Sequence, residues 1–218
     1  MTGWRTLLLL SAAAVALGAA GAAVGSFRDC PHCPEMVRAT PGTFVMGDPS
    51  GGVAGAQPLR RVTIEHRFAY SKGRVSAQDW KQCERAGVCQ SVSASGTATL
   101  DPVVMVSWVD VQQYLLWLSL ESGAEYRLLS EAEWEYLARS ASGFRADGLE
   151  WTSDCWHADY TGAPTDGASW DTAGDCRYHV ARGRRPGEAE PSMTRRSRVL
   201  FDARDTALGF RVARTLRD

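Results

Sequence analysis

The sequence predicts an α+β domain with few regular elements and a large share of ordered loops. Short β-prone runs separated by turn residues occupy residues 35–70. Three segments with helical spacing of apolar residues follow, and each opens with a serine cap motif. From residue 143 onward no periodicity persists, although this stretch is rich in tryptophan. Strands, then helices, then long ordered loops are typical of an α+β fold.

Residues 1–23 have the layout of a secretory signal peptide. Arg5 supplies a weak positive charge, and an apolar run from Leu7 to Leu17 is broken only by Ser11. Ala20-Gly21-Ala22 then offers a cleavage site of small residues. A retained membrane anchor is the alternative, but the apolar part is short for a span of about 20 residues. We therefore predict an exported protein, periplasmic or secreted, with no membrane span after cleavage.

The exported part divides into a short cysteine-containing segment, residues 24–34, and one domain, residues 35–218. All six cysteines lie in this part, as expected for an oxidising compartment. Six cysteines allow fifteen pairings. Turn-prone residues between neighbouring cysteines favour the three local pairs, Cys30 with Cys33, Cys83 with Cys89, and Cys155 with Cys176.

The first strands are predicted on either side of the Pro41-Gly42 turn in "EMVRATPGTFVMGD". A further strand is predicted in "RRVTIEHRFAY", where Val62, Ile64, His66 and Phe68 alternate onto one face. The connection between them, residues 49–58, is rich in glycine and proline, which indicates a loop.

Each helix begins with a serine followed three residues later by an acid, a pattern that can form reciprocal hydrogen bonds at a helix start. The pairs are Ser76 with Asp79, Ser107 with Asp110, and Ser130 with Glu133. Gly87 and Gly123 are candidate ends for the first two helices. Cap chemistry also accounts for Glu131 and Glu133, so we do not assign them as a general acid–base pair.

The long aperiodic stretch is predicted to be ordered because it combines tryptophans with a cysteine pair. Trp151, Trp156 and Trp170 fall in or near the segment between Cys155 and Cys176. A final strand is predicted in "ALGFRVART".

Six segments in a fixed order resemble the formylglycine-generating enzyme (sulfatase-modifying factor) family. They are "EMVRATPGTFVMGD", "RVSAQDW", "PVVMVSWVDVQQYLLWLS", "YRLLSEAEWEYLAR", "LEWTSDCW" and "LGFRVAR". The resemblance implies a variant of the C-type-lectin-like fold, in which Trp134 and Trp151 are core residues. The chain looks like a shortened, divergent member.

The family's oxidases convert a sulfatase cysteine to formylglycine with copper(I) held by two thiolates, which are soft ligands suited to that ion. In the family these thiolates follow an R-G-G-S-[WYF] segment. Here the matching segment runs from Arg182 to Gly187, and no cysteine follows Cys176. Copper is therefore not expected.

Calcium is the other metal that the resemblance implies. The family binds it partly through an Asn, a Glu and an intervening carbonyl in G-N-x-W-E-W. The matching positions here are Asp147, Gly148 and Glu150, after a connection shortened by several tens of residues. Hard oxygen ligands at this spacing suit calcium. A solvated acidic turn is the alternative.

The segment from Arg182 to Arg198 holds six arginines and two glutamates in a chain of net charge −1. Arg182, Arg184 and Arg185 form a candidate surface for a protein, peptide or glycan partner. Arginines paired within a loop-rich fold are the alternative. No aromatic residues are interleaved with these arginines, so a nucleic-acid partner is not expected.

Four functions remain open. The chain is expected to be a non-catalytic, lectin-like binding or accessory scaffold, because the thiol pair is missing. A formylglycine-generating oxidase, or another enzymatic activity on the same fold, is the alternative, although the four histidines lack metal-ligand spacing. The last candidate is a thiol oxidase, suggested by Cys30-Pro31-His32-Cys33. Since no βαβ pattern surrounds these residues, we predict a small disulfide loop there instead.

Overall fold

The computed structural model describes residues 25–92, 100–185, 187–188 and 193–216. The predicted signal peptide, residues 1–23, lies outside this part. The helices are α1 (Ala77–Arg85), α2 (Trp108–Ser122) and α3 (Glu131–Ser140). The strands are β1 (Ser26–Phe27), β2 (Met36–Arg38), β3 (Gly42–Met46), β4 (Arg60–Ile64), β5 (Phe68–Ser71), β6 (Tyr126–Arg127), β7 (Leu149–Trp156), β8 (Asp175–Arg182), β9 (Arg196–Leu200), β10 (Leu208–Phe210) and β11 (Ala213–Thr215).

The strands form three sheets, which confirms the α+β class. One sheet has the order β1-β2-β5-β11-β6, the second β10-β7-β8-β9, and the third pairs β3 with β4. The first sheet joins the two ends of the domain, because β11 pairs antiparallel with both β5 and β6. The predicted segment 24–34 contributes β1, which pairs with β2. Hydrogen bonds of the sheet therefore attach this segment to the rest of the domain.

Two strands predicted as continuous are each divided between two sheets. The run from Arg60 to Tyr70 forms β4 in the two-stranded sheet and β5 in the five-stranded one. The closing run forms β10, parallel to β7, and then β11, antiparallel to β5. The chain changes sheet at Arg211, whose guanidinium is held by Glu150 and by the carbonyls of Lys72 and Arg145. Alternation in sequence shows which side chains are buried but not where a strand changes sheet.

The three predicted helix starts are confirmed. In each, the serine side chain accepts from the backbone N–H three residues later, and the acid there accepts from the serine N–H. Gly123 ends α2 in a left-handed conformation with φ 67°. Gly87 lies just beyond the cap residue of α1, also with positive φ. Such conformations favour glycine because it has no Cβ.

Ser130 does more than cap α3, because its hydroxyl also donates to the Gly167 carbonyl at 2.7 Å. We expect Ser130→Ala to lower the free energy of unfolding by about 1–2 kcal/mol, since it removes the cap and leaves a buried carbonyl unpaired. Urea denaturation measures the change. Ser140→Ala, at the exposed end of the same helix, is the matched control and should have little effect. Equal losses in both variants would contradict this assignment.

The hydrophobic core forms two clusters on either side of the five-stranded sheet's central strands. One contains Trp80, Tyr114, Trp151 and Phe210, with Tyr114 stacked on Trp80. The other contains Trp134 and packs beneath the β3–β4 pair. Trp134 and Trp151 are 0% and 1% exposed, which confirms them as core residues.

The predicted disulfides are confirmed, and all six cysteines are oxidised. Cys30 bonds to Cys33, Cys83 to Cys89, and Cys155 to Cys176. The third bond closes the loop between β7 and β8. Within the described ranges, no helix has the length and apolar character needed to span a bilayer.

Candidate functional site

A buried ionic cluster lies where α3 meets β8 and β9. Arg182 donates to Glu131 at 2.8 Å and to Glu135 at 2.6 Å. Arg196 makes two further bonds to Glu131, at 2.6 and 2.9 Å. Burial opposes ionisation of Glu131, yet Arg196 and Arg182 hold its pKa below the usual value. Tyr160 also donates its hydroxyl to Glu131. These ion pairs therefore hold the end of β8 and the start of β9 against α3.

The candidate partner surface needs correction at Arg182, because its side chain is 0% exposed. Arg184 and Arg185 are only partly buried, but each has a partner within the fold. Arg184 donates to the Glu188 carbonyl, and Arg185 pairs with Asp205. The candidate surface is thus reduced to Arg184 and Arg185, and both already have partners within the fold. Residues 186 and 189–192 of this segment lie outside the described residues.

The cap prediction is right for Glu133 and incomplete for Glu131. Glu133 accepts from the Ser130 N–H and also pairs with Arg127 and His66. Glu131 instead serves the buried cluster. Sequence spacing could not reveal this, because its arginine partners lie 51 and 65 residues away.

The candidate calcium ligands are not brought together. Glu150 is 0% exposed, and its oxygens accept from Arg211 Nε and from Trp134 Nε1 at 3.0 Å. Asp147 lies at the surface and accepts from Arg145. Gly148 lies against the Arg74 guanidinium. Since the Glu150 carboxylate is paired with the buried Arg211 guanidinium, these residues do not fit a calcium ion.

The residues also do not fit copper(I), because every cysteine is in a disulfide and none offers a thiolate. The described residues contain no group of three or more His, Cys, Asp or Glu side chains placed to hold a metal. His179 is buried and stacks on Trp108, and burial lowers its pKa. These geometries assign His179 to packing and leave no free thiol among the cysteines.

A cleft of about 340 Å³ lies beside the β7–β8 loop. We call it the aromatic cleft and define it by Trp156, His157, Asp159, Trp170, Asp175 and Arg198. His157 stacks on Trp170 with ring centres 3.4 Å apart and planes 4° from parallel. Its two ring nitrogens lie 3.1 and 2.8 Å from the carbonyls of Cys155 and Thr172. The indole of Trp170 is thereby held in place.

Charged groups border the aromatic rings. A hydrogen bond from Arg177 holds the pKa of Asp175 below its usual value, and the Thr161 N–H does the same for Asp159. Both carboxylates are therefore ionised acceptors at neutral pH. Arg198 lies 3.3 Å from Asp175. Rigid rings beside ionised acceptors and a donor can bind a ligand that has both an apolar face and hydroxyl groups.

A larger cleft of about 690 Å³ lies between β2, β5 and α3. Its charged lining consists of Arg38 and Lys72, its aromatic lining of Tyr70 and Tyr136, and it holds no carboxylate. The aromatic cleft is smaller, but of the two it alone places carboxylates beside aromatic rings. We therefore favour the aromatic cleft as the functional site. In the sequence, its only sign was the density of tryptophan and aspartate around the third cysteine pair.

Asp154 connects the buried cluster to the aromatic cleft. Its carboxyl oxygens accept from the backbone N–H groups of Glu131 at 2.6 Å and Trp170 at 2.9 Å. Burial, and then the neighbouring Glu131 carboxylate, raises the pKa of Asp154 to about 7. The carboxyl of Asp154 therefore stays mostly neutral in the folded protein below about pH 7.

This pKa predicts a specific pH dependence. A raised folded-state pKa contributes stability that is fully present below the ordinary value of 3.8 and is lost as the pH rises through about 7. We expect the stability of the wild type relative to Asp154→Asn to fall across this window. Asparagine also loses one accepting oxygen at every pH, so the slope of unfolding free energy against pH is the quantity to measure. A flat or rising difference would contradict the prediction.

The model of the sulfatase-modifying factor enzyme 1-like domain matches residues 23–148. This match includes α1, α2 and α3 but ends before β7 and the aromatic cleft. No curated protein sequence matches the chain.

Solved structures extend the likeness beyond residue 148. PvdO from Pseudomonas aeruginosa is 29% identical, with a TM-score of 0.77, and the match covers 88% of this chain and 98% of PvdO. Treponema denticola variable protein 1 is 16% identical, with a TM-score of 0.67 and coverages of 88% and 99%. CarF is 14% identical, with a TM-score of 0.60 and coverages of 85% and 100%. The last two show likeness of fold alone.

Proposed function

The chain belongs to the sulfatase-modifying factor enzyme 1-like domain family, and from this we propose that it is an exported, non-catalytic scaffold that binds a neutral glycan in its aromatic cleft. The proposal is carried by one combination of features. All six cysteines are in disulfides, and the structure has an open cleft lined by rigid aromatic rings. Because one fold can host many functions, the proposed function is derived from the chemistry of the cleft and not from the fold.

Export is supported by the three disulfides, which persist in oxidising compartments. It is also supported by the sequence layout of residues 1–23. The oxidising compartments concerned are the periplasm and the extracellular medium. The proposal covers both.

The absence of oxidase chemistry is supported by the assignment of the polar side chains. Glu131, Glu133 and Glu150, which stand in the most family-like segments, each face a buried or half-buried arginine. A carboxylate held by a guanidinium is a poor proton acceptor, because the ion pair favours its ionised form. For the alternative, a formylglycine-generating oxidase or another activity on this fold, the described residues offer no free thiol and no group of side chains placed to hold a metal.

A neutral glycan is favoured by the chemistry of the cleft. A sugar ring has an apolar C–H face that can pack on Trp170 and hydroxyl groups that can donate to Asp159. Asp175 already accepts from Arg177 and Arg198, so it positions Arg198 at the cleft as a donor to the ligand. Asp175 pairs with both Arg198 and Arg177, so two carboxylates and two arginines balance in and beside the cleft, and it does not select strongly for charge. Its volume lies at the lower end of small-ligand sites, about 300–1,000 Å³.

The test is calorimetric titration of the purified protein with maltotriose, cellotriose and chitotriose. We expect at least one to bind, and Trp170→Ala to weaken that binding by tenfold or more with little change in melting temperature. Phe201→Ala removes a partly exposed aromatic residue outside the cleft and is the matched control. The proposal fails if none of the three binds, or if both variants reduce binding equally.

A further inference from the structure

We propose that the Cys30–Cys33 disulfide is a site of thiol–disulfide exchange that prefers anionic thiols. The bond closes a tight turn between β1 and β2, with Cα atoms 5.0 Å apart. Cys30 is partly exposed and Cys33 is 0% exposed. An incoming thiolate therefore has better access to the Cys30 side of the bond than to the Cys33 side. Exchange chemistry needs this access and does not need a thioredoxin fold.

A cleft of about 510 Å³ lies beside this turn. Its ionisable lining includes two carboxylates, and both have partners. Glu35 pairs with Lys72 at 3.2 Å, and Asp79 accepts from the N–H and hydroxyl of Ser76. The remaining ionisable side chains are basic, namely Arg28, His32 and Arg74.

With Lys72, three cationic side chains face two carboxylates, so the cleft beside the turn has an excess of one positive charge. Arg28 and Arg74 form no ion pair within the described part of the chain, and Arg28 donates to the Cys33 carbonyl. Positive charge attracts anionic reactants and stabilises a thiolate. The substrate class that fits is a reduced, negatively charged dithiol, such as a cysteine pair in an acidic peptide.

The reaction balances without a further cofactor. One substrate thiol loses its proton, and its thiolate attacks Cys30 Sγ. The bond between Cys30 and Cys33 breaks, and Cys33 Sγ leaves with the electron pair and takes up a proton. The second substrate thiol then loses its proton and attacks the substrate sulfur of the mixed disulfide. Cys30 Sγ leaves with the electron pair and takes up a proton, so the substrate is oxidised to its disulfide and Cys30 and Cys33 are reduced to thiols.

The fold should tolerate opening of this bond better than opening of the other two. A disulfide that closes a short loop restricts the unfolded chain least. The turn also keeps a hydrogen bond from the Cys33 N–H to the Cys30 carbonyl that does not depend on the sulfurs. By contrast, Cys83 and Cys89 are both buried. Cys155–Cys176 has an exposed sulfur but spans 21 residues, which makes it the natural internal control.

The test is reduction of the oxidised protein by mercaptoacetate, mercaptoethanol and cysteamine, which carry negative, zero and positive charge. Alkylation and mass spectrometry give the rate of opening of each disulfide per thiolate. We expect Cys30–Cys33 to open first, with the circular dichroism spectrum retained, and about tenfold faster with mercaptoacetate than with cysteamine. The paired change Arg28→Gln and Arg74→Gln should remove this charge preference.

Two results would overturn the proposal. One is opening of Cys30–Cys33 no sooner than Cys155–Cys176, or only together with loss of the fold. The other is a rate that does not depend on thiol charge in the wild-type protein. Both readouts use the unmodified chain, so they stand even if the arginine variants fold poorly.

Discussion

Replacing Arg182 with methionine should lower the free energy of unfolding by about 3–5 kcal/mol. The guanidinium is fully buried and bonds to both Glu131 and Glu135. Methionine restores much of the volume but leaves part of the carboxylate charge without its partner. Removal of one member of a buried ion pair costs more than the pair contributes as a whole, because the remaining charge stays desolvated. Urea denaturation at neutral pH measures the loss.

Arg177→Met is the matched control for this experiment. Its side chain is 77% exposed and pairs with Asp175 at the surface, where ion pairs contribute little. It should leave the urea midpoint nearly unchanged. A loss below about 1 kcal/mol for Arg182→Met would contradict a structural role for the buried cluster. Arg182 would then be better regarded as a functional residue.

Removing the third disulfide by the paired change Cys155→Ala and Cys176→Ala should cost about 3 kcal/mol. The bond closes a 21-residue separation that contains most of the aromatic cleft. Loop closure restricts the unfolded chain more as the loop lengthens. Because the His157 and Trp170 rings belong to this loop, we also expect loss of glycan binding in the folded variant.

The paired change Cys30→Ala and Cys33→Ala is the control for loop length. Its bond closes a separation of three residues, for which the same relation gives about 2 kcal/mol. Glycan binding should survive this change, because the turn lies outside the aromatic cleft. An equal loss of binding in both double variants would mean that the effect comes from general destabilisation.

Local features of the fold could be predicted from the sequence because local chemistry determines them. The serine caps at Ser76, Ser107 and Ser130 depend on bonds within four residues, and the structure contains all three. Local disulfide pairing follows from turn-prone residues between neighbouring cysteines. By contrast, local chemistry does not determine which sheet a strand joins. The division of the closing strand at Arg211 depends on partners 61 to 139 residues away.

The candidate site was less predictable for the same reason. Glu150 lies at the expected calcium position, but Arg211 occupies its carboxylate, and no pattern near residue 150 indicates this. Arg182 lies in a run of arginines that resembles a charged surface, but α3 supplies two buried acids beneath it. The aromatic cleft depends on the packing of His157 against Trp170 across thirteen residues of irregular chain. Only the fold brings these rings together.

If ligand binding has replaced the family's oxidase reaction in this chain, the protein should not convert a sulfatase cysteine to formylglycine. The direct measurement is co-expression with a peptide that carries the sulfatase cysteine motif, followed by mass spectrometry of that cysteine, with copper added and oxygen present. A copper-dependent family oxidase serves as the positive control in parallel. We predict an unmodified cysteine from this chain. Formylglycine in the peptide would contradict the proposed loss of catalysis.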